Sequence, residues 1–171
     1  MYKTVNGIDH LNLIAREIVN PNDDMKEEIL INDVKYREFD KVILLVNMPD
    51  EGVFNGDIGI ICEIDKNKNE VYIDFDGNIV KFTKSSFINF KLGYVISVHK
   101  SQGSEFKVVI MIILEEYSRM LYRKLLYTGV TRAKESLYLL GEEKAILKAI
   151  NNSFIDNRKT SLLEMVNGMY K

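Results

Sequence analysis

Apolar residues near the N-terminus recur at helical spacing. Val5, Ile8, Leu11, Leu13, Ile14 and Ile18 form a rough 3.6-residue stripe that Asn20-Pro21 ends, which predicts a helix over residues 4–20. Residues 21–29 are polar and acidic and read as a linker. The period then shortens. Val42–Val46, Ile58–Ile64, Val71–Phe75 and Ile79–Phe82 are apolar or alternating runs, separated by Asn55-Gly56-Asp57, Lys66-Asn67-Lys68-Asn69 and Asp76-Gly77-Asn78. The last separator is a hairpin signal, because Asp, Gly and Asn tolerate the positive φ of tight turns. Closely spaced strands without an intervening helix predict a small β-barrel, placed at residues 36–90.

Beyond Lys91 the texture changes again. Gly93–Val98 reads as a strand, and Val108–Leu114 is an unbroken apolar run of the kind buried on both faces of a parallel sheet. Residues 118–134 alternate an apolar face (Met120, Leu121, Leu125, Leu126, Val130) with a basic one (Arg119, Arg123, Lys124) and predict a helix. Leu137–Leu140 predicts a third strand, residues 142–152 a second helix and residues 160–170 a short last one. The expected fold class is α/β: a layer of parallel strands and helices, with the small barrel inserted. The expected domains are residues 1–35 (helix and linker), 36–90 (barrel) and 91–171 (remainder of the α/β layer).

Composition narrows the function classes. The chain has 171 residues, 46% hydrophobic and 28% charged, so it has material for a core and little reason for disorder. No stretch is long and apolar enough to span a membrane, no signal-peptide core opens the chain, and a single cysteine, Cys62, rules out an internal disulfide. These features fit a cytoplasmic protein, with Cys62 expected in the core. Two distant histidines make a His-based metal site improbable. The net charge of −2 conceals an asymmetry: residues 81–134 carry 10 Lys and Arg against 3 Asp and Glu, a local +7, and the rest carries −9. A basic segment of that kind suits phosphate-rich partners.

Two clusters within that basic segment carry candidate chemistry. His99-Lys100-Ser101-Gln102-Gly103-Ser104-Glu105-Phe106 puts small and polar residues between two apolar runs, where backbone N–H groups approach a phosphate easily. Read alone, a polar connection between two strands is more often only a solvated loop. Leu126-Tyr127-Thr128-Gly129-Val130-Thr131-Arg132-Ala133-Lys134 places two cations at the end of a helix, a favourable position for any cation near the negative pole. Arg132 has a sharper reading, as a permanently charged donor to a transferring phosphoryl group.

In order and spacing, Ser97–Phe106 and Leu125–Lys134 resemble motifs V and VI of superfamily 1 DNA helicases. Val53-Phe54-Asn55-Gly56-Asp57-Ile58-Gly59 is similar to the SH3-like insertion of the RecD-like branch, and Gly7-Ile8-Asp9-His10-Leu11-Asn12 to the helix after motif IV. The resemblance implies a partial RecA-like second domain carrying an SH3-like barrel. It implies that Arg132 contacts the γ-phosphate of ATP, that Gln102, Gly103 and Glu105 lie at the nucleotide, and that Ser97, His99 and Lys100 touch single-stranded DNA. Gln102 and Thr131 would couple the two sites, and Asn55, Lys81 and Lys84 are candidate DNA contacts on the barrel. The implied partners are single- or double-stranded DNA and an N-terminal RecA-like domain of the same parent protein, with no membrane.

None of the ten glycines is followed by lysine, so the chain has no Walker A loop. Val42–Val46 leading to Asp50-Glu51 imitates a Walker B strand, but Asn47-Met48-Pro49 interrupts it. The chain is therefore expected to be a C-terminal piece of a helicase, starting just after the first strand of its RecA-like layer. ATP and Mg2+ would act in the full-length parent; the isolated chain would bind neither tightly and would be inactive. Two alternatives compete. The barrel also resembles KOW-type modules, which would make the chain a non-catalytic nucleic-acid-binding protein with an α/β appendage. A degenerate remnant kept for protein interaction is the third reading.

Overall fold

The computed structural model describes residues 6–153, which divide into two compact units between Gly103 and Ser104. The first unit holds helix α1 (Ile8–Val19) and seven strands: β1 (Glu28–Ile31), β2 (Val34–Arg37), β3 (Lys41–Leu44), β4 (Ile58–Asp65), β5 (Glu70–Phe75), β6 (Asn78–Thr83) and β7 (Phe90–Leu92). β1 and β2 form a hairpin, and the other five make an antiparallel sheet in the order β6-β5-β4-β3-β7. Alternation drives the sheet: on β5, Val71, Ile73 and Phe75 are buried while their neighbours are not. The sheet curls until its two edge strands share a core, with the Phe82 and Phe90 rings edge-to-face at 5.1 Å. Tyr36 of β2 adds a second edge-to-face contact with Phe90 at 5.4 Å, which brings the hairpin into the same core.

Four features of this unit depart from the sequence expectations. The hairpin β1–β2 occupies ground read partly as linker. Its turn residues, Asn32 and Asp33, both take positive φ, and the alternation that buries Ile29 and Ile31 is only four residues long. Gly93–Val98 is not a strand. The backbone of Val95 is bonded instead to a side chain, with Asn12 Nδ2 donating to its carbonyl (2.7 Å) and Asn12 Oδ1 accepting from its N–H (2.9 Å). Cys62 is exposed rather than buried: Ile61 before it faces the core, so strand alternation turns Cys62 outward, and the β4–β5 register shift between Ile61 and Glu63 then brings Ile64 back inside.

Helix α1 is also turned over from its expected orientation. Its buried residues are Asn12 and Arg16, and the capping Asn20 continues that line, whereas Ile14, Ile18 and Val19 are exposed. The polar stripe is buried because each member is satisfied. Arg16 donates to the Lys35 carbonyl and to Glu17. Asn20 Nδ2 donates to the Glu38 carbonyl (3.0 Å) and to Asp40 (2.8 Å). Asp40, fully buried, also accepts from the Arg37 N–H (2.9 Å) and the Tyr94 hydroxyl (3.0 Å). Burial pushes the Asp40 carboxyl above its ordinary pKa and carries Tyr36 and Tyr94 up to about 12.

The second unit holds β8 (Phe106–Ile113), a 3-10 segment (Glu115–Met120), α2 (Arg123–Val130), β9 (Ala133–Gly141) and α3 (Glu143–Asn151). β8 and β9 run parallel, joined by the crossover through α2. Ile113, Leu121, Ala145 and Ala149 form its buried cluster. The β8 run is less buried than its composition predicts: Val108 is 52% and Ile110 63% exposed. The helix expected over 118–134 is broken. Leu121 and Tyr122 leave helical geometry, and Asn152 fixes that step by donating to the Leu121 carbonyl (2.8 Å) while its own carbonyl accepts the Arg123 N–H (2.9 Å). The segment 160–170 lies outside the described residues. Among the described residues no helix is long and apolar enough to cross a membrane.

Candidate nucleotide and nucleic-acid site

Residues 97–101 form a tight turn rather than an open loop. The Ser97 carbonyl accepts the N–H groups of Lys100 (2.9 Å) and Ser101 (3.2 Å), and the buried Ser101 hydroxyl donates to the Val98 carbonyl (2.8 Å). His99, Gln102 and Gly103 are exposed, while Ser97 and Lys100 are half-buried. Gly103 has φ +87° with open space where a side chain would be, so its backbone is accessible to a ligand.

The turn at Asn55-Gly56, between β3 and β4, meets this turn. Lys100 Nζ donates to Asn55 Oδ1 at 2.6 Å. The barrel turn is itself held at several points. Asn55 N–H donates to Asn47 Oδ1 (2.9 Å), Phe54 N–H to Asp57 Oδ2 (2.7 Å) and Gly56 N–H to the Leu44 carbonyl (2.9 Å). Gly56 takes φ +104°, a conformation that disfavours any side chain. The other two barrel candidates are not part of this pair. Lys81 on β6 is paired with Glu70 at 3.4 Å, and Lys84 is exposed in the turn after β6. Glu70 also accepts the Tyr72 hydroxyl at 2.8 Å, and the two bonds hold its carboxyl below the ordinary range.

In the second unit, Arg132 lies just past α2 and is half-buried. Its Nε donates to the Thr128 carbonyl (3.0 Å), Nη1 to the Ser104 carbonyl (3.1 Å) and Nη2 to Thr131 Oγ1 (3.1 Å). Three of the five guanidinium donors are thus spent on holding the group still, and one N–H on each Nη stays available among the described residues. The cation also lies at the negative end of α2, so the position that is favourable for any charge is combined with a fixed orientation. Glu105 and Lys134 form an exposed ion pair at 2.9 Å, which holds the Glu105 carboxyl below its usual pKa.

Residues 92–140 match the UvrD-like helicase C-terminal domain, and residues 11–75 match the SH3 domain of ATP-dependent RecD-like DNA helicases. The chain is 32% identical over 160 residues to the ATP-dependent RecD2 DNA helicase of Deinococcus radiodurans, covering 94% of this chain and 22% of that protein. It is 28% identical over 145 residues to the RecBCD enzyme subunit RecD of Buchnera aphidicola subsp. Schizaphis graminum, covering 84% of this chain and 24% of that one. The chain thus spans less than a quarter of the length of either relative. Its fold is similar to that of Bacteroides Pif1 helicase in complex with ADP-AlF3 and single-stranded DNA. That match has a TM-score of 0.56 at 18% identity, over 95% of this chain and 43% of that one.

These matches define a helicase-type α/β fold with an SH3-like domain. More narrowly, the chain belongs to the RecD-like helicases, as the region carrying their SH3 and UvrD-like C-terminal domains. The match at 92–140 takes in the residues that a separate KOW-type module would leave as an unrelated appendage.

Several residues that build the site were not singled out by the sequence, although Asp57, Ser104 and Thr128 lie within the motif segments. Asn47 and Asp57 hold the barrel turn, and Thr128 and Ser104 orient Arg132 through backbone carbonyls, which no side-chain pattern can announce.

Proposed function

We propose that this chain serves as the C-terminal part of an ATP-dependent DNA helicase, supplying the arginine finger and part of the single-strand track to a composite motor. The observation that carries this reading is the state of Arg132: a permanently charged group oriented by three hydrogen bonds, with donors left over for an anion. ATP would supply the transferable phosphoryl group. Arg132 would stabilise charge developing on it, and its fixed carbonyl partners would spare reorganisation at the moment of transfer. By resemblance, Gln102, Gly103 and Glu105 are assigned to the nucleotide and Ser97, His99, Lys100, Asn55, Lys81 and Lys84 to the DNA.

The accessible backbone at Gly103 and the spare N–H groups of Arg132 suit phosphate oxygens. Among the described residues no three His, Cys, Asp or Glu side chains converge as metal ligands. Because no glycine in the sequence is followed by lysine, the reading assigns Mg2+ and the Walker A loop to the N-terminal RecA-like domain, and it assigns no ATP turnover to this chain alone. The test is Arg132→Ala and Arg132→Lys in the natural protein that contains this chain. ATP turnover should fall by roughly 10³-fold, with single-strand affinity within about twofold. Unchanged turnover in both variants would remove Arg132 from the mechanism.

A further inference from the structure

Lys100 and Asn55 lie 45 positions apart in sequence and are joined by one of the shortest side-chain hydrogen bonds described in the chain, at 2.6 Å. The chemistry of the pair is unusual for a structural contact. A lysine that serves stability is commonly matched to a carboxylate, as Lys81 is to Glu70 and Lys134 to Glu105. Among the described residues no carboxylate lies within ion-pair distance of Lys100, whose partner is the neutral amide oxygen of Asn55. That oxygen orients the ammonium without cancelling its charge, and it leaves two ammonium protons unused. Both ends are fixed, Asn55 by Asn47 and by the turn at Gly56, Lys100 by the bonded turn from Ser97.

We propose that Asn55 and Lys100 form a single grip for one backbone phosphate of a nucleic-acid strand, in which Asn55 is the positioning residue that aims Lys100. This rests on the nucleic-acid track proposed above and adds a specific coupling: Asn55 acts through Lys100 and is not an independent contact. The Phe54 ring, next in sequence to Asn55, is 51% exposed and gives the turn an aromatic surface of the kind on which unpaired bases stack. That surface favours a single strand over a free anion. An ammonium paired with an amide also predicts ionic-strength behaviour different from that of an ion pair, since the counterion on Lys100 in the free protein comes from solvent and is released on binding.

The test is binding of a fluorescent oligo-dT strand to the 171-residue chain between about 50 and 200 mM salt, for Lys100→Gln, Asn55→Ala, the double variant and Asn55→Asp. Lys100→Gln should weaken binding about five- to tenfold at the lowest salt and reduce the slope of log K against log salt by about 0.7. Asn55→Ala should lower affinity in the wild-type background and have no further effect on Lys100→Gln. Asn55→Asp, which gives Lys100 a carboxylate, should reduce the slope as Lys100→Gln does. Losses that add in the double variant, or an Asn55→Asp chain with the wild-type slope, overturn the coupling and leave the track standing. A wild-type chain that retains its circular dichroism spectrum but binds no strand overturns both.

Discussion

Asn12 and Val95 are bonded twice across 83 residues: the Asn12 side-chain amide accepts the Val95 N–H at 2.9 Å and donates to the Val95 carbonyl at 2.7 Å. One side chain thus satisfies a stretch of backbone that would otherwise need a neighbouring strand, and it places the segment leading into Ser97 and His99 against α1. Asn12→Ala leaves both Val95 groups unpaired and should destabilise the fold by about 2–3 kcal/mol. A urea midpoint shift at unchanged slope checks this, and Asn12→Asp should recover only the N–H bond.

Glu17 sits between two arginines, Arg16 at 2.7 Å and Arg37 at 3.0 Å. Hydrogen bonds from Arg16 and then Arg37 hold its carboxyl below the ordinary pKa. A carboxyl lowered in the folded state stabilises above its unfolded pKa and loses that contribution as pH falls through the folded value. Glu17→Gln should therefore be less stable than wild type at neutral pH, by about 0.5–1 kcal/mol given how exposed the side chain is. The difference should vanish in acid, below the carboxylate range. Asp40 has the opposite sign, because its carboxyl is raised by burial and its ionisation opposes folding as pH rises. Chemical denaturation of both proteins across acid and neutral pH resolves the two.

Gly141 ends β9 with φ +146°, and a Cβ there would lie 1.8 Å from the Ile113 carbonyl oxygen. That oxygen also accepts the Glu142 N–H at 3.0 Å, so it cannot move away without loss. Gly141→Ala should cost about 2–4 kcal/mol and loosen the end of the β8–β9 pair. Hydrogen exchange at the Ile113 and Gly141 amides should rise while exchange within β4 and β5 stays unchanged.

Cys62 should be modified by a thiol reagent in the folded chain, because it lies on the outward face of β4. The reaction should be slow near neutral pH and accelerate in alkali, since desolvation first of all raises the thiol pKa. One equivalent of label without loss of the circular dichroism spectrum is the expected result. Labelling only after unfolding would place Cys62 in the core.

The strands β5 and β6 were legible because alternation places Val71, Ile73 and Phe75 on one and Val80 and Phe82 on the other inside, and Asp76-Gly77 announces its own turn. The family resemblance was legible where it rides on contiguous residues, as in 97–106 and 125–134, both within the region that matches the UvrD-like C-terminal domain. Helix α1 was legible as a helix but not in its orientation. Periodicity reports which residues are apolar, and here Asn12, Arg16 and Asn20 went inside because Val95, Lys35 and Glu38 backbone groups awaited them. Likewise the bulge at Cys62 depends on how two strands pair, which neither strand specifies alone.

The sequence by itself determined that a small antiparallel sheet and a parallel strand–helix layer follow one another, and which residues could face phosphate. Those are local properties: alternation, turn chemistry and the identity of the charged groups. Only the tertiary structure decided that Lys100 is aimed by Asn55, that Arg132 is held by the Thr128 and Ser104 carbonyls, and that Lys81 is already paired. Apart from the local bond between Arg132 and Thr128, each of these depends on the distance between groups separated in sequence, and hydrogen bonds and ion pairs form only when folding brings donor and acceptor within about 3 Å of one another.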